Sequence, residues 1–337
     1  MTTPDFPTWA SALADQLQEV RARGGATLHQ FEALFAPWIP AWRLAPQEEG
    51  AHSRNRRWPL PLVFWTFLWQ VAQAGSACRE AILQARSLCA SQGHPLPPDK
   101  TSPYCQARAG LPLERLDEIL TGIIQEADQG IATRDLWCGH RVQVVDGSTV
   151  TLPDTPANQA AYPQQKSQQP GCGFPIMRVV ALFSLATGML TQWATGHWRQ
   201  HELGLWQTMW EQLRPDDVLL GDRGFGVWAV LAQCVARGIH GVFRSRRKID
   251  FRGGQPLSRH ERLVSWPKPQ LCPKYLTPAQ WAALPPVLTL RVVRCRLKRK
   301  GFRTRQVTLV TTLLDGVRYP VAALAVPPVI LCAARRV

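Results

Sequence analysis

Acidic residues are nearly missing from one part of this 337-residue sequence. Between Gly241 and Val310 only Asp250 and Glu261 are acids, against 17 lysines and arginines. The chain as a whole carries 39 basic and 24 acidic residues, a net charge of +15. This one segment therefore holds the whole excess, and the rest is neutral. Such a block points to a polyanion such as nucleic acid; a solvated face or anionic lipid is the alternative. Paired cysteines are missing too. Nine cysteines are scattered from Cys78 to Cys332 with no CxxC, which excludes a disulfide framework and a zinc-finger spacing and suits a reducing compartment. The N-terminal stretch MTTPDFPTWASALADQLQEV lacks a basic region followed by an apolar one, the mark of a secretory signal. No long hydrophobic run occurs either: Pro59 to Ala74 is short and broken by Gln70 and Gln73,. Repeats and low-complexity tracts are absent. These absences lead to the expectation of a soluble, cytoplasmic protein.

What is present centres on RVQVVDGSTVTLPDTP, Arg141 to Pro156. The β-branched residues Val142, Val144 and Val145 predict a strand over Arg141 to Val145, which Asp146-Gly147 is expected to break. The design recurs at Val218-Leu219-Leu220-Gly221 followed by Asp222-Arg223-Gly224-Phe225. Two strands that each end in an aspartate suit a metal-dependent phosphoryl-transfer site, because Mg²⁺ prefers carboxylate oxygens and paired metals can clamp the attacking and leaving oxygens of a phosphodiester. Either motif alone reads more readily as a turn or a loop; the pair, in its surroundings, favours the site.

Upstream of this centre the periodicity is helical: Thr8 to Ala22, Ala26 to Phe35, Leu60 to Gly75, Ser76 to Ser91, and two helices around Gly110, the second ending near Glu126. Ser102 is the expected N-cap and Pro103 the first helical residue of the earlier one. Tyr104, Gln106 and Arg108 are candidates for a helix-turn-helix contact with DNA, with ordinary helical packing the preferred reading. Downstream, Ile176 to Leu185 and Met189 to Gly196 predict a hairpin, Glu202 to Leu213 and Gly226 to Arg237 two helices, and Gly241 to Ser245 a fifth strand. The order of three strands, helix, strand, helix, strand predicts an α/β fold with a mixed sheet, in the strand order of the ribonuclease H fold. Residues 246–310 read as a β-rich insertion with a basic face, in which Val292, Arg294, Arg296 and Lys298 alternate with Arg291, Val293, Cys295 and Leu297. The expected division is a helical region over 1–135 that could bind DNA, a core over 136–245, the insertion over 246–310 and a return to the core over 311–337. His197 and His201, four apart, have no third His or Cys at ligand spacing, so they are read as helix-start residues rather than zinc ligands.

From about Ser102 to Ala325 the chain resembles the IS4-type transposases of the DDE class, which use a ribonuclease H-like core. The resemblance rests on VVDGSTVTLPDTPANQAAYPQ, PGCGFPIMRVVALFSLATG, the QHEL segment at Gln200 to Leu203, VLLGDRGF, and VTLVTTLLD before RYP. It implies Mg²⁺-dependent cleavage and transfer of DNA strands at terminal inverted repeats, with Mn²⁺ as a substitute ion. It implies that Asp146 and Asp222 are the first two catalytic, metal-holding carboxylates, Asp146 bridging two ions and Asp222 holding one. A β-rich insertion between the second and third acids is a family trait, and a bacterial, DNA-associated location follows. Arg223, beside the metal strand, and Arg244, Arg246, Arg247, Lys248, Lys298, Arg299 and Lys300 are the candidate phosphate contacts; packing is the alternative for Arg223. Glu202 is a motif residue without an assigned role.

The family's third acid belongs to the signature Tyr-x-x-Arg-x-x-x-Glu-x-x-x-x-x-x-Lys, expected soon after Arg318-Tyr319-Pro320. No arginine stands three residues after Tyr319, and Asp315 is the only acid after Glu261. The expectation is a polypeptide truncated or frameshifted before the third acid, and so defective alone. The competing expectation is a non-enzymatic DNA-binding fragment that occupies inverted repeats or pairs with a full-length transposase and inhibits it. Target DNA and a homodimer are further partner expectations of the resemblance.

Overall fold

The computed structural model describes residues 26–45, 57–73, 75, 77–165, 167, 169, 171–245, 253–296 and 306–324. The helix expected over Thr8 to Ala22 and the tail after Leu324 lie outside the described residues. The chain divides into two compact units, Met1–Gly130 and Ile131–Val337. Among the described residues no helix is long and apolar enough to cross a membrane.

The first unit is helical. Helix α1 (Leu28–Phe35) opens with a reciprocal capping box between Thr27 and Gln30,. It is followed by α2 (Leu60–Ala72), α3 (Cys78–Ser91), α4 (Thr101–Ala109) and α5 (Leu113–Gln129). Leu28, Phe31, Val63, Trp65, Trp69, Ile82 and Tyr104 share one core. Lys100, not Ser102, caps α4; Pro103 falls within the first turn, where a missing N–H breaks no helical hydrogen bond. Tyr104 is fully buried, and its hydroxyl donates to Gln70 Oε1 at 2.8 Å. Arg108 donates to the same oxygen at 3.1 Å. Two of the three candidate DNA contacts in this helix are therefore spent on packing, while Gln106 is exposed.

The second unit is built on β1 (Val142–Thr151), α6 (Pro156–Ala161), β2 (Ile176–Ser184), β3 (Leu190–His197), α7 (Glu202–Trp206), β4 (Val218–Gly221), α8 (Trp228–Ala236), β5 (His240–Arg244), β6 (Gln255–Ser258), β7 (Glu261–Pro267), α9 (Pro278–Ala282), β8 (Val287–Arg296) and β9 (Gln306–Thr311). All nine strands form one mixed sheet in the order β3-β2-β1-β4-β5-β9-β8-β7-β6. β1, β4 and β5 are mutually parallel; every other neighbour is antiparallel. Both faces are covered. Val145, Phe243, Leu290 and Val310 pack with α7 and α8 on one face. Val142, Leu220, Val242, Val293 and Leu309 pack with Tyr319 and Leu324 on the other.

Four expectations change. β1 does not stop at Val145; Asp146 and Gly147 lie inside it, paired with Ala181 and Val180 of β2. The helix expected over Glu202 to Leu213 is only five residues long, followed by a turn and a 3-10 segment at Trp210–Gln212. Leu203, Leu205, Trp206, Met209, Trp210 and Leu213 are all buried, more than one helical stripe can seat. The β-rich segment is not set apart from the core, because β9 pairs with β5 and β8, β7 and β6 continue the same sheet. The expected basic face is also interrupted: Val292 on that face is fully buried, and Arg291 on the other is buried in an ion pair with Glu261.

Candidate metal centre

The parallel register of β1 and β4 runs from Val142 opposite Val218 to Val145 opposite Gly221. The next residues are Asp146 and Asp222, so the two aspartates stand at the same end of neighbouring strands. β4 stops at Gly221 while β1 continues against β2, so the β1–β4 ladder ends immediately before the two aspartates. Both aspartates are half-buried. Asp146 Oδ1 accepts from Gly147 N at 2.9 Å, and Asp222 Oδ1 accepts from Gly224 N at 2.6 Å.

The loop carrying Asp222 is pinned from behind. Its carbonyl accepts from the amides of Phe225 and Gly226, both at 3.2 Å. The Phe225 ring is buried against Trp206 of α7, with centroids 6.3 Å apart. Helix α7 begins at His201, whose Nδ1 accepts from Leu203 N at 3.1 Å. At the end of β3, His197 Nδ1 accepts from Arg199 N at 3.2 Å. The two histidines are turn and cap acceptors, as expected for His201, and do not share a ligand position.

Of the candidate DNA contacts, Arg223 is exposed beside Asp222, and Arg244 is half-buried at the end of β5. Arg246, Arg247, Lys248, Lys298, Arg299 and Lys300 lie outside the described residues. Strand direction still decides where the chain leaves for them. β5 is parallel to β1 and β4, and β9 is antiparallel to β5. The end of β5 at Arg244 and the β8–β9 connection after Arg296 therefore face the same end of the sheet as Asp146 and Asp222.

At the other end of the same three strands lies a group without a signal in the sequence. His140, Asp216 and His240 precede or begin β1, β4 and β5, and their ligand atoms lie within 4.8 Å of one another. His140 is buried, and both its ring nitrogens are engaged: Nδ1 with the Asp216 carbonyl at 2.8 Å and Nε2 with the Tyr319 hydroxyl at 2.7 Å. His240 Nε2 meets Asp216 Oδ1 at 3.2 Å, and Trp137 stacks on Tyr319 with centroids 5.9 Å apart. With its lone pair already taken by Tyr319, His140 acts as a clamp. His140 and Asp146, like Asp216 and Asp222, are six residues apart, about 20 Å of extended chain.

The family described as Transposase DDE domain matches residues 137–310. The chain is also similar to Transposase InsG for insertion sequence element IS4 of Escherichia coli (strain K12), with 24% identity over 270 residues, covering 79% of this chain and 58% of that protein. The chain thus spans less than two thirds of the length of the curated relative it matches.

Proposed function

From the premise that this chain belongs to the IS4-type transposases with a DDE domain, we propose that it acts on transposon DNA, cutting and joining strands at terminal inverted repeats. The observation that carries this reading is the register that brings Asp146 and Asp222 to the same end of the neighbouring strands β1 and β4. Their donor set fits the ion the family implies. Carboxylate oxygens are the ligands that Mg²⁺ and Mn²⁺ prefer.

Asp146 and Asp222 would hold the metal, which when bound activates a water or 3′-hydroxyl and stabilises the leaving oxygen. The rest of the task falls to the protein. Phe225 and the turn at Asp222 fix one carboxylate, and the β2 ladder fixes the other, so both are placed before DNA arrives. Arg223 and Arg244 would meet backbone phosphates, joined by the lysines and arginines of the two basic connections that start at this end. We further propose that the second unit is a ribonuclease H-like core enlarged by β6 to β9, and that the helical unit contributes to DNA binding.

A second reading rests on the acids. After Glu261 the sequence offers only Asp315, whose carboxylate accepts from the amides of Val317 and Arg318, so residues 1–337 hold no match for the family's third acid. The reading is a chain that occupies inverted repeats, or pairs with a full-length transposase, without cutting. One experiment separates the two. The chain and its Asp146→Ala variant are incubated with inverted-repeat DNA and Mg²⁺ or Mn²⁺, and binding and cleavage are followed together. Metal-dependent cleavage lost in the variant supports the enzyme. Salt-sensitive binding without cleavage supports the occupying chain, and the absence of both sinks the family function.

A further inference from the structure

Gly147 poses a problem that its neighbours solve. It lies inside β1, not in a turn, and its φ is not among the positive ones, so the backbone does not demand glycine there. Space does. A Cβ on Gly147 would come 2.6 Å from Glu202 Cδ and 2.9 Å from Glu202 Oε2. The Glu202 carboxylate, at the start of α7, fills the place where a side chain would be. A second glycine repeats the pattern. A Cβ on Gly224 would lie 2.9 Å from Asp222 Oδ1 and 3.9 Å from Glu202 Oε2.

These are the same two glycines whose amides hold the aspartates, Gly147 on Asp146 Oδ1 and Gly224 on Asp222 Oδ1. We infer that Glu202 is a third metal-ligating carboxylate of this centre, brought in by α7 through the space that Gly147 and Gly224 leave open. The inference rests on the reading of Asp146 and Asp222 as metal ligands. It adds a residue distinct from the acid that the family's terminal signature supplies.

Glu202 adds a third carboxylate to the end of the sheet that carries Asp146 and Asp222, and like charges brought near one another favour a compensating cation. A cation stands beside Glu202: Arg178 Nη1 is 3.9 Å from Glu202 Oε1. That is the outer limit of an ion pair, and it engages the oxygen turned away from the glycines. Oε2 faces Gly147 and Gly224. The carboxylates are not packed within 4.8 Å of one another as the His140 group is. Two ions about 3.5–4 Å apart, as in two-metal phosphoryl transfer, need donors spread over a wider span than a single ion does. The ion pair with Arg178 is the competing explanation of why Glu202 is there.

The test uses Mn²⁺ and the full chain, without DNA, with affinity read by calorimetry or by the resonance of free Mn²⁺. Glu202→Gln keeps the shape of the side chain and should weaken binding at least about tenfold, the scale on which metal sites respond to lost support. Gly147→Ala, which displaces the carboxylate without removing it, should weaken binding as well. Arg178→Met should leave affinity intact. If Asp222→Asn loses Mn²⁺ while Glu202→Gln binds as the unaltered chain does, Glu202 is only the partner of Arg178 and the inference falls, leaving the aspartate pair standing. If neither Asp146→Asn nor Asp222→Asn changes affinity, the aspartate reading itself fails. A measurement that needs no variant guards against misfolding. Fe²⁺ loaded in place of Mn²⁺, with ascorbate and peroxide, should cut the backbone near Gly147, Gly224 and Glu202; cuts at the first two without the third would overturn the inference.

Discussion

β4 carries aspartates at both ends, and the two ends have been put to opposite uses. At its start, Asp216 is surrounded by partners: His140, His240 and, through His140, Tyr319. At its finish, Asp222 meets the amide of Gly224, which Glu202 also approaches. One end is closed by aromatic rings and filled hydrogen bonds; at the other, two residues without side chains leave room that Glu202 enters. The same residue type is a fastener among histidines and aromatic rings and a candidate ligand beside glycines. The comparison predicts that damage at the closed end costs stability and leaves metal binding alone, and that damage at the open end does the reverse.

The largest effect is expected from Glu261→Gln. Arg291, which is fully buried, donates through Nε to Glu261 at 2.8 Å and through Nη1 to the carbonyls of Asp315 and Tyr319 at 3.2 and 2.8 Å. It therefore ties β8 to the segment that delivers Tyr319 to the closed end. Removing the charge of its partner should cost about 3–5 kcal/mol, seen as a lower denaturant midpoint, with Mn²⁺ affinity unchanged below the transition. Next comes the open end. Asp222→Ala should reduce any metal-dependent DNA cleavage by about a hundredfold or more with little change in unfolding, whereas His240→Ala should leave cleavage as it was. A loss of cleavage in His240→Ala would break the comparison.

His140→Ala is expected to be milder, because it strands the Tyr319 hydroxyl and the Asp216 carbonyl at about 1–3 kcal/mol for each group left unsatisfied. Denaturation read by tryptophan fluorescence would report it, through Trp137 stacked on Tyr319. The smallest effect belongs to Asp315. Backbone hydrogen bonds, first from Arg318 and then from Val317, hold its carboxyl below the ordinary value near 3.8. A depressed folded value means that the stabilisation is present above the unfolded pKa and fades as pH falls through the folded one. The unfolding midpoints of the chain and of Asp315→Ala should differ at pH 7 and converge below about pH 4. A gap that persists there would show that the turn does not depend on the charge.

Much of this arrangement was legible. Runs of Val and Leu ending in Asp announced β1 and β4, and the helix between β4 and β5 follows from its apolar stripe. The errors have physical sources. Gly147 was read as punctuation, since glycine most often marks a turn, but here its value is the missing Cβ. The alternation around Arg291 promised one basic face; the sheet is buried on both sides there, so Arg291, Val292 and Val293 are all fully enclosed and alternation loses its meaning. His140, Asp216, His240 and Tyr319 are brought together only by the parallel crossovers, and no spacing in the chain marks them. Glu202 stood out by its motif, but its approach to two glycines requires coordinates.

The place of β9 in the sheet has a consequence in time. β5 is made early, yet its partner on one side is β9, which leaves the ribosome only after β6, β7, α9 and β8. At roughly 5–20 residues per second, the free edge of His240–Arg244 waits on the order of several seconds for its neighbour. During that interval the nascent chain carries a central strand paired on one side alone, a template for any other extended segment. Among the described residues the last strand to emerge is the one that closes the middle of the sheet, so completion of the sheet waits on how soon residues 306–311 find their slot.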